Sequence, residues 1–465
     1  MFDQLNAMKN ALGSAIKKVF SRDHLNEIAR RTGFVKRSSS KLEGFEIIGA
    51  LTGETVNDPY ISYEGLCGEI VGLNPDADIT PQALEQRINS PECVDYFKTV
   101  LEETMEEKIS GINLPDPVLL QSFGHVYIED STIITVHEKL AGEFKGSGGS
   151  ASAAAVKVDC IYELKNPRIA RLEIREGTNP DQGMAGVADD IMQPGDLKIT
   201  DLGYFSIPSM KETDDSGKFY LSRMIKTANV YLNKDDPEPA NLSGYLNKNF
   251  TGTAVIDLEV YIGKEDRFKT RMTVYRLKQE IVSGRRRKAR ESAKKKGRTP
   301  TKEYMAWLEF SFFITNVPPE VWPAEVIGTI YRVRWQIELI FKNWKSLLNI
   351  HVLKGFRPER IKCLIYGKLI TSVVMTMICR YAAEAVHFLY KRELSFFKLT
   401  GWLKRSMRLR KLFSDPEIVL RAVDKELPRL KKQKRKRKTT SELIQAETGY
   451  LETLEEKIRE VGKKA

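Results

Sequence analysis

One segment near residue 340, YRVRWQIELIFKNWKSLL, limits the fold of this 465-residue chain more than any other part of its sequence. Apolar residues in and beside it recur at helical spacing and predict a buried stripe: Ile330, Ile337, Phe341, Trp344 and Leu348. At roughly 100° per residue, four polar residues share an arc of about 60° beside that stripe: Tyr331, Arg334, Glu338 and Lys345. The segment therefore predicts an α-helix with one buried side and a neighbouring side that carries a carboxylate, two cations and a phenol.

A carboxylate flanked by cations on one helix face has two interpretations. Charged residues at helical spacing commonly form a solvated face stabilised by pairs of opposite charge. A carboxylate that binds a metal ion next to a phosphate chain also has cationic neighbours, because Arg and Lys neutralise phosphate oxygens. The helix face alone leaves both interpretations open.

Two aspartates elsewhere follow stretches that are typical of buried strands. Residues 126–129 alternate in polarity before Asp130, and residues 197–200 do the same before Asp201. An aspartate at the end of a buried strand is held rigidly, with its carboxylate at the rim of the sheet. Three carboxylates that converge there can hold two Mg²⁺ ions about 3.5–4 Å apart. Either aspartate alone could be an ordinary turn acid, so the prediction depends on the set.

Other candidate metal ligands are weaker. Asp189-Asp190 lies in a predicted helix, without the strand and following glycine that surround Asp201. His125, beside the first strand, is interpreted as a packing residue. The five cysteines are scattered and lack a C-x-x-C pair, which indicates a reducing compartment and argues against a structural zinc site. Mg²⁺ prefers oxygen ligands, so the carboxylates suffice.

The charge of the chain suits a polyanionic partner. The net charge is +12 and the sequence pI is about 9.2. Basic runs occur at residues 285–288, 294–296, 404–411 and 431–438. Each run is either a solvated surface or a contact with nucleic-acid phosphates, and the sequence does not distinguish the two.

The sequence predicts no membrane partner. The apolar run Leu369–Cys379 lies between Lys368 and Arg380, which leaves too few apolar residues to span a bilayer. We expect a buried helix there instead. Met1 is followed by a mixed polar segment rather than the apolar stretch of a secretory signal, so we expect a cytoplasmic protein.

Changes in residue pattern predict three regions. Residues 1–112 are predicted to be helical, and two short helices around residues 74–78 form either a helix-turn-helix or an ordinary αα-hairpin. Residues 113–390 alternate strands with helices and contain a β-rich insertion at about 206–300. Residues 391–465 form a basic helical region, and apolar residues of its last segment could contact a second subunit: Leu443, Leu451, Leu454 and Ile458.

The spacing of polar residues within the segment at residues 331–348 resembles the signature of the insertion sequence 4 family of DDE transposases. In that signature a Tyr is followed by an Arg after two intervening residues, then by a Glu after three and by a Lys after six. Here these residues are Tyr331, Arg334, Glu338 and Lys345. The sequences around the aspartates, Glu129-Asp130-Ser131-Thr132 and Asp201-Leu202-Gly203-Tyr204, are similar to the first and second aspartate motifs of the family. The resemblance covers residues from about 120 to 390.

The resemblance implies a ribonuclease-H-like fold, that is, an α/β mixed sheet flanked by helices. It implies a helical DNA-binding domain before the catalytic core, and cut-and-paste transposition by a prokaryotic, nucleoid-associated enzyme. The implied partners are double-stranded DNA, as terminal inverted repeats and target, and a second copy in a synaptic homodimer. Asp130, Asp201 and Glu338 would bind two Mg²⁺ ions, for which Mn²⁺ can substitute. Tyr331, Arg334 and Lys345 would contact DNA phosphates.

Well-studied members of this family form a DNA hairpin and stack an extruded base on a tryptophan of the preceding strand. Here Trp307, Phe310 and Phe312 are the candidates for that role, because any aromatic face can stack a flipped base. Each of them could instead be a core residue. Two other functions also stay open: a nuclease of the same fold that does not transpose DNA, and a non-catalytic DNA-binding protein derived from a transposase.

Overall fold

A computed structural model describes most of the chain, as two compact units. The described residues are 2–36, 42–107, 118–149, 151–250, 255–405 and 413–432. The first unit takes its described residues from Met1–Pro115, Ser131–Asn179 and Ile337–Arg435. The second unit takes them from Asp116–Asp130 and Pro180–Gln336.

Within the described residues, nine strands form one mixed sheet. The strands are β1 (Val126–Thr135), β2 (Ala155–Glu163), β3 (Arg168–Glu176), β4 (Leu197–Thr200), β5 (Phe219–Arg223), β6 (Val230–Tyr231), β7 (Val255–Ile262), β8 (Phe268–Arg276) and β9 (Phe310–Thr315). Their order across the sheet is β3-β2-β1-β4-β5-β9-β8-β7-β6. The prediction of an α/β fold with a mixed sheet is confirmed.

The α-helices of the described residues alternate with these strands and also form the regions before and after them. They are α1 (Phe2–Val19), α2 (Arg22–Arg31), α3 (Gly44–Gly49), α4 (Thr55–Asn57), α5 (Tyr63–Leu73), α6 (Pro81–Ile88), α7 (Pro91–Glu106), α8 (Ile207–Asp215), α9 (Leu242–Asn249), α10 (Gln279–Lys295), α11 (Lys302–Trp307), α12 (Ala324–Tyr331), α13 (Trp335–Ser346), α14 (Pro358–Tyr390), α15 (Phe396–Arg405) and α16 (Pro416–Leu430).

Side-chain caps explain where three of the N-terminal helices begin. Ser62, Thr80 and Ser90 precede α5, α6 and α7, and each accepts a hydrogen bond from the backbone N–H three residues later. Pro81 and Pro91 occupy the first helical position, where the missing N–H costs no hydrogen bond. In the described part of residues 1–112, the helices α1–α7 and the turns between them are the regular structure, and no strand occurs there.

The middle of the sheet is parallel. β1 pairs with β4 in parallel, with Ile128 opposite Ile199, and β4 pairs in parallel with β5. All four residues of β4 are buried. This is the pattern expected of a strand that is covered on both faces.

The other half of the sheet is antiparallel and has its own apolar core. β5 pairs with β9, β9 with β8, and β8 with β7, all antiparallel. Tyr220 of β5, Leu246 of α9 and Phe310 of β9 belong to one buried cluster between these elements. The segment at about 206–300 therefore contains β5, which pairs directly with β4, as well as the hairpin of β7 and β8.

Helix α14 is a core helix. By length and composition it could cross a membrane, and it is the one such helix in the described residues. However, 78% of its most apolar stretch is buried inside the fold. Gly367 allows close packing, since a Cβ there would lie 3.1 Å from the carbonyl oxygen of Leu51 in the π-helical turn Ala50–Glu54. The buried helix that was predicted over Leu369–Cys379 is confirmed.

Lys368 is a buried cation within α14. Its side chain is enclosed, and Nζ donates to the carbonyl oxygens of Asn349 and Val352, both at 2.8 Å. Burial, assisted by the positive charge of Lys404, lowers the pKa of Lys368 to about 7. These two hydrogen bonds attach α14 to the chain that follows α13, and the lowered pKa reduces the charge that is buried there at neutral pH.

The C-terminal region is described as far as residue 432. Helix α16 packs on α1, where Lys9 Nζ donates to Asp424 Oδ2 at 3.0 Å and Lys17 Nζ donates to Glu417 Oε1 at 2.6 Å. Most of the basic runs at 404–411 and 431–438, and the apolar residues that could contact a second subunit, lie outside the described residues.

Candidate active site

Asp130 and Asp201 follow paired positions of two neighbouring parallel strands. The register of β1 and β4 sets Glu129 opposite Thr200, and each aspartate is the next residue in the chain. β4 ends at Thr200, and Asp201 begins a 3₁₀ turn over Leu202–Tyr204. The structure therefore brings these two predicted site residues together.

Strand β1 is longer than the sequence pattern indicated. It continues beyond Asp130 to Thr135, so Asp130 lies within the strand rather than at its end. The polar pair Ser131-Thr132 hid this continuation, because polar residues after an apolar run resemble a turn. Only Val126–Glu129 pair with the short strand β4, which leaves Asp130 half-buried just beyond the paired segment.

Arg334 links the two aspartates. Its Nη1 donates to Asp130 Oδ2 at 2.6 Å, and its Nε lies 3.5 Å from Asp201 Oδ1. The exposed fractions of the Arg334 and Asp130 side chains are 13% and 15%, whereas that of Asp201 is 38%. The two carboxylates thus converge on one cationic group, and Asp201 retains the greater access to solvent.

Tyr331 contacts the same end of β4. Its hydroxyl lies 3.2 Å from the carbonyl oxygen of Thr200 and 3.3 Å from Asp201 Oδ1, and it can donate to either. Burial and the neighbouring Asp201 carboxylate raise the pKa of Tyr331 well above its ordinary value. The phenol therefore remains protonated at neutral pH and acts as a hydrogen-bond donor to the site.

The segment that was predicted as one α-helix is interrupted by a 3₁₀ turn. α12 ends at Tyr331, residues Arg332–Arg334 form the 3₁₀ turn, and α13 begins at Trp335. A 3₁₀ helix has about three residues per turn, so residues three apart eclipse one another. Tyr331 and Arg334 are consequently aligned, with the guanidinium carbon 5.9 Å from the ring centroid. The buried stripe of the segment is as predicted, from Ile330 to Leu348.

Glu338 and Lys345 lie further along α13. Glu338 is half-buried in its first turn, one helical turn after Arg334, and Lys345 is exposed in its last turn. Both belong to the first compact unit, whereas Asp130, Asp201 and Arg334 belong to the second. In the part of the chain that the structure describes, no three His, Cys, Asp or Glu side chains are grouped to hold a metal ion.

Two apolar residues of α13 are exposed, outside the buried stripe that its spacing predicts. The exposed fractions of Trp335 and Leu339 are 58% and 42%. They are four residues apart and so share a helix face. Their angular positions, on the far side of the polar arc from the buried stripe, could have identified them. Trp335 and Leu339 therefore form an exposed apolar surface beside the polar residues of α13.

Asp189 has a structural role beside the site. Its Oδ2 accepts from Lys198 Nζ at 2.6 Å, and its Oδ1 accepts from Thr213 Oγ1 at 3.0 Å. Lys198 Nζ also donates to Ser209 Oγ and to the carbonyl oxygen of Ala185. Since Lys198 lies on β4, three residues before Asp201, this buried network fixes the strand that leads into the aspartate.

The three aromatic candidates for base stacking differ in accessibility. Phe310 and Phe312 are buried in the core of the antiparallel half of the sheet. Trp307 is half-buried, and its ring stacks on Phe312 with centroids 3.8 Å apart. Trp307 is therefore the one of the three with a solvent-accessible part.

The basic helix α10 has two different faces. Arg285 donates to the carbonyl oxygen of Phe310 and to Ser311 Oγ, both at 3.0 Å, and Arg286 donates to the carbonyl oxygen of Met305. These two cations attach the helix to the sheet. Other cations in and just after the helix are exposed: Arg287, Lys288, Arg290, Lys294, Lys295 and Lys296.

Comparison with known families gives one extensive match. Residues 121–374 match a family model described as Transposase DDE domain. This range contains both aspartates and the whole segment from Tyr331 to Lys345.

Individual relatives are similar over most of their length. The chain is 30% identical to the transposase for insertion sequence element IS231C of Bacillus thuringiensis subsp. berliner, over 87% of either chain. It is 29% identical to the IS231B transposase of the same subspecies, over 83% of either chain. It is 26% identical to the IS1151 transposase of Clostridium perfringens, over 85% of this chain and 86% of that protein. The similarity extends well beyond residues 121–374.

Proposed function

This chain belongs to the transposase DDE domain family, and from that premise we propose that it moves an insertion sequence by cut-and-paste transposition. The observation that carries the proposal is the pair of adjacent aspartates, Asp130 and Asp201, which converge on Arg334 of the segment that also contains Glu338. DDE transposase domains are metal-dependent polynucleotidyl transferases that act on DNA. Our proposal adds the identity of the metal ion, the residues that bind it and the DNA, and the course of the reaction.

The donor set suits a hard divalent cation. Asp130 and Asp201 offer carboxylate oxygens that already converge on a positive group, and Mg²⁺ prefers oxygen ligands. We assign Asp130, Asp201 and Glu338 as the residues that hold two Mg²⁺ ions, with Mn²⁺ as an effective substitute. When bound, these ions supply the charge that activates an attacking water or 3′-hydroxyl and stabilises the departing oxygen.

Three side chains are assigned to the DNA backbone. The planar guanidinium of Arg334 can donate two hydrogen bonds to one phosphate, and the exposed ammonium of Lys345 acts as a point charge. Tyr331 stays protonated and holds Asp201, or donates to a phosphate oxygen, through its hydroxyl. These groups position the scissile phosphate and neutralise it without taking part in covalent chemistry.

The course of strand cleavage includes a DNA hairpin in this proposal. An extruded base then needs an aromatic surface to stack on, and stacking does not depend on base identity. Trp307 is the preferred residue, because Phe310 and Phe312 would have to leave a packed core to expose a ring face.

The partners are the terminal inverted repeats, the target DNA and a second copy of the chain in the synaptic complex. The exposed cations of α10 are assigned to DNA phosphates, which would make DNA affinity fall as salt rises. The five cysteines all lie within the described residues and form no disulfide bond there, as suits the reducing cytoplasm and its nucleoid.

The test of this function is a joining assay. A supercoiled donor that carries a marker between inverted repeats is incubated with the purified full-length chain, target plasmid and Mg²⁺. We expect excised donor backbone and marker joined to target DNA, flanked by a short target duplication. Product analysis by sequencing of the junctions checks both steps.

The alternatives give different products in the same assay. A nuclease of this fold would yield nicked or linear donor and no joined product. A non-catalytic DNA-binding derivative would retard the end DNA in a gel and leave the donor intact. Either result would contradict transposition.

A further inference from the structure

Arg334 neutralises the two aspartates with a positive charge from their own chain. Its contact with Asp130 Oδ2 is a direct ion pair at 2.6 Å, and its Nε is 3.5 Å from Asp201 Oδ1. Both Arg334 and Asp130 are largely enclosed, and an enclosed carboxylate without a counter-charge is unfavourable. The guanidinium therefore keeps the pair of carboxylates stable when no other cation is present.

We propose that Arg334 occupies the carboxylates of Asp130 and Asp201 until DNA is bound, and that it then turns onto a DNA phosphate as a divalent ion replaces it. The inference rests on the proposed function, since it requires these aspartates to be metal ligands. It assigns to one arginine two successive partners, first the carboxylates and then the phosphate.

Competition for the same oxygen atoms supports the exchange. Mg²⁺ requires direct contact with carboxylate oxygens at about 2.0–2.1 Å, and Arg334 already occupies Asp130 Oδ2 with a hydrogen bond at 2.6 Å. The two cations also repel each other at such short separation. A phosphate offers the guanidinium a bidentate partner as good as a carboxylate, so the exchange leaves no charge unpaired.

Tyr331 helps to preserve the geometry during this exchange. Its neutral hydroxyl lies within reach of Asp201 Oδ1 and of the carbonyl oxygen of Thr200. Because the phenol carries no positive charge, it can remain in place beside a divalent ion. Asp201 would thus stay oriented after the guanidinium leaves.

The exchange couples DNA binding to metal binding. A divalent ion must displace Arg334 when DNA is absent, whereas a bound phosphate already attracts the guanidinium away. Each ligand should therefore raise the affinity for the other by the same factor. The enzyme would hold its metal ions weakly until an element end is in the site.

Binding of Mn²⁺ to the full-length chain without DNA tests the inference directly. Free Mn²⁺ is measured by electron paramagnetic resonance for wild type, Arg334→Gln and Asp130→Asn. We expect Arg334→Gln to bind Mn²⁺ about tenfold more tightly than wild type, because the competing cation is gone. The matched control is Arg332→Gln, which removes an exposed charge from the same 3₁₀ turn and should change the affinity by less than about twofold.

The possible results distinguish failure of the exchange from failure of the metal assignment. Equal or weaker Mn²⁺ binding by Arg334→Gln, with binding still lost in Asp130→Asn, would overturn the exchange and leave the metal site intact. Mn²⁺ binding that Asp130→Asn does not change would overturn the metal assignment and this inference with it. If Arg334→Gln does not fold, as judged by circular dichroism, Arg334→Lys replaces it. Lysine cannot reach both carboxylates as a fork, so an affinity above wild type is expected, and an unchanged affinity would contradict the exchange.

Discussion

The Asp201→Asn variant is expected to lose cleavage of element-end DNA by a factor on the order of 10³ or more, because it removes a charged ligand from a site that works as a unit. Asp130→Asn should be equally impaired, since the two residues occupy equivalent positions after paired strand residues. Binding of the end DNA should change little, because DNA affinity comes mainly from cations that contact phosphates. Cleavage of a labelled end duplex in Mg²⁺, with binding followed by gel retardation, measures both quantities.

A neighbouring acid provides the control for this prediction. Asp190 is exposed and lies in the same stretch between β3 and β4 as the buried Asp189. Asp190→Asn removes the same charge without touching the paired strand ends, so cleavage should stay within about twofold of wild type. Comparable loss in Asp190→Asn and Asp201→Asn would show that net charge, rather than the position of Asp201, determines the effect.

The Lys198→Met variant is expected to lower the free energy of unfolding by about 3–5 kcal/mol, because it leaves the buried Asp189 carboxylate without its counter-charge. The exposed fractions of the Lys198 and Asp189 side chains are 3% and 8%, so water cannot compensate for the loss. Ser209 Oγ and the carbonyl oxygen of Ala185 would lose the same donor. Urea denaturation at neutral pH, followed by circular dichroism, measures the change.

A double-mutant cycle and a surface pair make this second prediction specific. Lys198→Met with Asp189→Leu should cost clearly less than the sum of the single changes, because neither charge is then buried alone. Lys269 and Glu259 form an exposed pair at 2.9 Å, and Lys269→Met should have little effect on unfolding. Additive single changes, or equal losses at Lys198 and Lys269, would show that the Lys198–Asp189 pair does not stabilise this strand.

The positions of the two aspartates could be predicted from the sequence because strand periodicity is a local property. Alternation before Asp130 and Asp201 predicted a strand segment ahead of each acid, and parallel pairing of these two segments brings the acids together. Only Asp201 follows the end of its strand, because β1 continues beyond Asp130 to Thr135. The same is true of the buried stripe from Ile330 to Leu348, which follows from helical spacing. The length of apolar sequence likewise predicted the buried helix around Leu369–Cys379.

Other features depend on partners that are distant in the chain. The 3₁₀ turn at Arg332–Arg334 uses residues that also suit an α-helix, so the sequence pattern did not distinguish the two. Arg285 and Arg286 appeared as part of a basic surface, yet they face carbonyl oxygens of Phe310 and Met305 that only the tertiary fold supplies. The structural role of Asp189 also could not be predicted, because the buried contact with Lys198 exists only once β4 and the turn before it have packed together.

Glu338 is the residue on which the central claim depends most. The structure brings Asp130 and Asp201 together, whereas Glu338 is assigned to the metal site by its spacing after Arg334 on the same segment. The most direct test compares cleavage of an end duplex in Mg²⁺ by wild type and Glu338→Gln at equal DNA occupancy. We expect no detectable cleavage by Glu338→Gln although the DNA is bound as in wild type, and undiminished cleavage would contradict the assignment of Glu338 to the metal site.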